Sequence, residues 1–143
     1  MSNNMTAISW KTGVGVNHVG AYQVSGRPFA SGSIDCKDKN GTIEVSFPNL
    51  TRWFQVINKG SDDVKVGFSS LGITANNNFF TVAKADADAN GAVGDSGRLE
   101  LKVASIFISG SNNVDVIAGL TNIDGLRVSG STGPNWSGSV GVG

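Results

Sequence analysis

The chain has 143 residues, of which 20 are glycine and only 15% are charged, with eleven acidic side chains balanced by eleven Lys and Arg. That balance gives nucleic acid no long-range attraction, and one cysteine, Cys36, permits neither a disulfide framework nor a zinc cluster of cysteine ligands. No run approaches the ~18 apolar residues of a membrane span, and the length suits one domain that buries roughly two-thirds of its unfolded surface.

Residues 1–20 are polar and glycine-rich, ending in GVGVNHVG, and read as an extended arm with Trp10 as an anchor. They lack the basic start and apolar stretch of a secretion signal, so synthesis in a cytoplasm is expected, and the sequons at Asn40, Asn49 and Asn135 are expected to stay unused. The folded part is expected over 21–124. Tyr22–Ser25 reads as a first strand closed by Gly26-Arg27-Pro28, with Ile34 as its continuation across a Ser31–Ser33 bend. Asp38-Lys39-Asn40-Gly41 signals a turn before Thr42–Phe47, which Pro48-Asn49 ends. Arg52–Asn58 follows, then a turn over Lys59–Asp63, then Val64–Phe68. Gly72 and Asn76–Asn78 separate this from Phe79–Val82. Residues 83–97 form the longest irregular stretch, with Ala83–Ala92 the one place for a short helix. Arg98–Val103 reads as a strand whose parity slips near Ala104-Ser105, which predicts a bulge or bend before Ser105–Ser109. After a turn at Ser111-Asn112-Asn113, Val114, Val116, Ala118 and Leu120 mark the last alternating strand. Residues 125–143 form a Gly/Ser-rich tail with Trp136 near its end. About eight antiparallel strands without helical periodicity predict an all-β fold, a single jelly roll or β-sandwich.

The strands divide by pattern. Thr42–Phe47, Val64–Phe68 and Arg98–Val103 alternate apolar with polar, as a sheet with one wet face requires. Trp53–Ile57 (WFQVI), Asn78–Val82 (NFFTV) and Ser105–Ser109 (SIFIS) instead place large side chains on consecutive residues, which point in opposite directions. One core takes only one of each pair. The surplus, drawn from Trp53, Phe54, Phe79, Phe80 and Ile106–Ile108 with Phe107 among them, predicts an interface; Trp10 and Trp136 join it as anchors of the two tails.

Chemistry-bearing motifs are sparse. Asp86-x-Asp88-x-Asn90-Gly91 matches the opening of a calcium loop, but its twelfth position is Gly97, where that pattern needs a bidentate glutamate, and only Asp95 or Glu100 is at hand as a substitute. A solvated turn is the plainer reading, so no cofactor is expected and calcium is the only metal to test. His18 and Cys36 have no recognisable third residue to orient them, and the chain has no GxxxxGK loop, so it is not expected to be an enzyme. Trp10, Trp53, Trp136 and Tyr22 offer faces on which sugars stack, with Asn76–Asn78 or Asp62-Asp63 as polar partners; a host-surface glycan is the alternative ligand.

Gly13–Ile34 (GVGVNHVGAYQVSGRPFASGSI) resembles the amino-terminal phrase of small capsid-associated proteins of marine viruses, both large algal DNA viruses and tailed phages. Ile43–Asn58, Val64–Ser69, Leu99–Gly110, Val114–Ile123 and Trp136–Ser139 resemble later phrases of the same family, though the 83–97 stretch is longer and more acidic. The resemblance implies a single jelly-roll virion protein without enzymatic activity, set at a vertex or between major capsid subunits. Its implied partners are the major capsid protein and copies of itself, as a trimer or pentamer, with the tails as straps.

Overall fold

A computed structural model describes residues 26–38, 41–86, 91–124, 129–130 and 133–134. The fold is an all-β sandwich of two four-stranded antiparallel sheets. The first sheet has the order β1 (Arg27–Ile34), β8 (Val114–Asp124), β3 (Asn49–Asn58), β6 (Gly94–Asp95). The second has the order β2 (Ile43–Ser46), β7 (Ser105–Ser109), β4 (Val64–Gly67), β5 (Phe79–Val82). Apart from the β4–β5 pair, each successive strand lies in the opposite sheet. A short pair, β9 (Ser129–Gly130) with β10 (Gly133–Pro134), lies beyond them within the expected tail.

Alternation dictates the core. Phe54, Val56, Val114, Val116, Ala118 and Leu120 turn inward from the first sheet and meet Val45, Val64, Val66, Val82, Ile106 and Ile108 from the second. Each such side chain stabilises the fold by roughly 1.5–3 kcal/mol through burial alone, so this layer holds the sheets together. Phe29 joins its edge, with its ring 4.9 Å from that of Phe47 in an edge-to-face contact.

Several expected boundaries move. β1 begins at Arg27 and takes in Pro28, where the sequence suggested a stop; β1 is an outer strand of its sheet, and there a proline costs no interior ladder bond. The bend at Ser31–Ser33 is present as a register slip against β8, with Ser33 at φ 55°. The expected strand at Tyr22–Ser25 lies outside the described residues. β3 begins at Asn49, so only Phe47 and Pro48 separate it from the end of β2 at Ser46. Arg98–Val103 is not a regular strand: it lies along β3, exchanging Leu99 and Phe54 backbone bonds of 2.8 and 3.0 Å, and then crosses to the second sheet at Ala104. The parity slip at Ala104-Ser105 is that change of sheets.

The single described helix, α1 (Ser70–Thr74), lies outside the segment where alanines suggested one. Ser69 caps it, its hydroxyl accepting the Gly72 N–H at 2.9 Å. Ile73 reaches down over Gly67 of β4, and a β-carbon there would sit 2.9 Å from both Ile73 Cγ1 and the Asn78 carbonyl. Glycine at 67 is therefore what lets the helix lie against the sheet.

Candidate interaction face

The side of the first sheet that faces away from the core is built from the other parity of the same strands. Trp53, Gln55 and Ile57 point that way from β3, Asp115, Ile117 and Gly119 from β8, and Pro28 and Ala30 from β1. Register lines them up in rows: Pro28, Gly119 and Trp53 across one, Ala30, Ile117 and Gln55 across the next, Asp115 and Ile57 beyond. Trp53, Ile57 and Ile117 remain half-buried on this side, although the core behind them is closed at 0% exposure for Phe54, Val56 and Val116. Because Gly119 carries no side chain, an open cleft of about 470 Å³ forms beside the Trp53 indole, walled by Pro28, Ala30 and Ile117.

Polar groups frame this apolar strip. Gln55 donates to Asp95 at 2.7 Å, and Arg27 donates to Asn49 at 2.8 Å near the cleft mouth. Asp115 accepts the Ser33 N–H at 2.9 Å and an ion pair from Lys59 at 3.1 Å. Partial burial pulls the Asp115 pKa upward, but the Ser33 and Lys59 contacts outweigh it, and the carboxyl rests below its ordinary value.

The outer side of the second sheet is treated differently. Phe107, Gly67 and Phe79 form a row there, and Ile73 of α1 lies over Gly67 between the two rings. The Lys65 ammonium sits 4.8 Å from the Phe79 ring centre. The chain thus covers part of this surplus with its own helix and leaves Phe79 and Phe107 half-buried.

Among the expected interface residues, Phe54 needs correction: it is fully buried, because its position on β3 carries the inward parity. Phe80 also turns inward and packs against the core, opposite Val66. Trp53 is on the open face, and Trp10 and Trp136 lie outside the described residues. Ile117, Ile57 and the Gly119 cleft were not singled out from sequence. Ile117 carried a legible signal, the one large apolar residue at odd parity in the Val114–Leu120 run.

The chemical motifs come apart. Asp86 pairs across a turn with Ala92, its N–H donating at 2.8 Å, while Asp88 and Asn90 fall outside the described residues. Among the described residues, no three His, Cys, Asp or Glu side chains gather as metal ligands would. Cys36 is fully buried and its thiol donates to the Ser111 carbonyl at 3.1 Å; burial, helped by the charge of Asp35, pushes its pKa up, the reverse of what a nucleophilic thiolate needs. His18, its supposed partner, is outside the described residues.

Buried polar chemistry serves the loops. Asn58 donates to the carbonyls of Asp62 at 2.7 Å and Val82 at 3.2 Å and accepts from Gly60 N–H at 3.0 Å and Ser111 Oγ at 2.7 Å. All four of its hydrogen-bonding positions are filled, which ties the β3–β4 turn, the end of β5 and the β7–β8 turn into one rigid end of the sandwich. Compared with protein-family models, curated proteins and solved structures, the chain matches none.

Proposed function

We propose that this chain is a structural, non-enzymatic jelly-roll protein of a virus capsid, which decorates or cements the shell or forms its vertices by self-association. The jelly-roll reading is supported by the strand orders 1-8-3-6 and 2-7-4-5, in which two four-stranded sheets are wound together by chain crossings, an architecture that recurs in viral capsids and lectins. The observation that supports self-association is the outer face of the first sheet: Trp53, Ile57 and Ile117 stay only half-buried behind a core that is already complete without them. Aromatic anchors of this kind dominate protein interfaces. The viral setting is supported by the sequence resemblance, with residues 1–20 and 125–143 as straps between neighbours.

The test is retention of the purified chain on purified capsids, together with its mass in solution. An oligomer that binds shells and loses both properties on Trp53→Ser fits the proposal; a monomer that shells do not retain would end it. A lectin is the second reading, favoured by the open cleft beside the Trp53 indole. Binding on a glycan array that Trp53→Ala abolishes, without self-association, would select it instead.

A further inference from the structure

The cleft beside Trp53 opens where the chain enters β1. Gly26 and Arg27 form its rim, Pro28 and Ala30 one wall, Ile117 and the Trp53 indole the others, and Gly119 the floor. Gly119 is buried, whereas Pro28 and Ala30 are exposed and Trp53 and Ile117 half-buried, so a side chain seated here takes apolar wall out of water on every side. Twenty-five residues of the sequence precede Gly26, and they leave the described fold at this rim. A β-carbon at Gly26 would meet nothing within 4 Å, so the chain has room to turn back over the sheet there. Trp53 lies two strands from β1, about 10 Å at the usual strand spacing, and four residues of chain span at most about 13 Å. Tyr22 stands four positions before Gly26. Val24 falls within the turn itself and Trp10 is sixteen positions from the rim, so Tyr22 is the aromatic side chain that the shortest return delivers.

We infer that the occupant of this cleft is Tyr22 of the same chain, its ring seated over Gly119 against the Trp53 indole and its hydroxyl left at the wet mouth, near the Arg27–Asn49 hydrogen bond. Reversal at Ser25-Gly26 brings Ala21–Ser25 back across the outer face of the first sheet. Tethering favours this occupant over a free one, because a group held by so short a length of chain acts at an effective concentration of order millimolar. The contact goes beyond self-association and does not depend on it. With Tyr22 in place, the strip offered to a neighbour consists of Tyr22, Trp53, Ile117 and Ile57, and it is flat where the cleft was.

Trp53 reports the contact once it is the only tryptophan, in a full-length parent carrying Trp10→Phe and Trp136→Phe. Acrylamide quenching of this parent is compared with that of the same chain carrying Tyr22→Ser, with circular dichroism to check folding and sedimentation velocity to record mass at the same concentration. The expected result is a quenching constant at least twofold higher in Tyr22→Ser, with Trp53 emission moved to longer wavelength, at unchanged mass. A second variant, Gly119→Leu, fills the cleft floor and is expected to make Trp53 indifferent to Tyr22→Ser. Equal quenching in the parent and in Tyr22→Ser would overturn the seat, as would a Tyr22→Ser effect that survives intact in Gly119→Leu. A rise that appears only together with a loss of mass would also overturn it, by giving Tyr22 to a neighbouring copy. A parent that sediments as a single chain yet shows the twofold change would uphold the seat while ending self-association, so the two readings fail separately.

Discussion

Adjacent residues on β3 divide the two roles of this protein. Phe54 is fully buried in the core and Trp53, one position earlier, is half-buried on the outside. Phe54→Ala is expected to cost about 3–5 kcal/mol by leaving a cavity that the close-packed layer cannot collapse around. Trp53→Ser is expected to cost less than half of that in the monomer, and denaturant unfolding of both variants checks the ranking. Cys36 makes a separate case: buried, and with its pKa raised, it is expected to react with a thiol reagent only after unfolding, so fast labelling of the native chain would contradict its placement. Asp115 predicts the response to acid. Its carboxyl lies below the ordinary 3.8 in the folded chain, so the stability it contributes is present above that value and is lost as pH falls through the lower folded one. Wild type and Asp115→Asn should therefore differ most near neutrality and converge well below pH 3.8; a gap that widened on acidification would contradict the ion pair.

Among the elements, α1 depends most on a single position. Gly67→Ala would bring a β-carbon within 2.9 Å of the Asn78 carbonyl and of Ile73, and the backbone partner cannot swing aside. The expected consequence is a loss of about 1–3 kcal/mol together with faster proteolysis around Ser70–Thr74; an unaltered cleavage pattern would show that the helix does not rest on the sheet. This helix was hidden from sequence reading because its five residues carry no period, only a serine cap, and because the alanines near residue 85 drew attention elsewhere. The strands at Val64 and Val114 were legible from alternation between turn residues, and those at Phe79 and Ser105 from short runs of large apolar residues between turns. β1 was obscured by Pro28, which punctuates an interior strand but not an outer one. Consecutive aromatic pairs announced that two faces existed without saying which member of each faced in; that depends on register, and register assigned Phe54 and Phe80 to the core.

At the scale of the whole molecule, one feature emerges only when the strands are assembled. It is the apolar strip of Trp53, Ile57 and Ile117, whose members are scattered over two strands far apart in sequence and meet through the pairing of β3 with β8. Sedimentation velocity over a concentration series tests the strip most directly, on the wild type and on Trp53→Ser/Ile117→Ser. The wild type is expected to sediment as a species several times its 14.7 kDa chain mass, and the folded double variant as a single chain. A wild-type chain that stays at 14.7 kDa at the highest concentrations, or a double variant that associates as well as its parent, would contradict the assignment of this face to self-association.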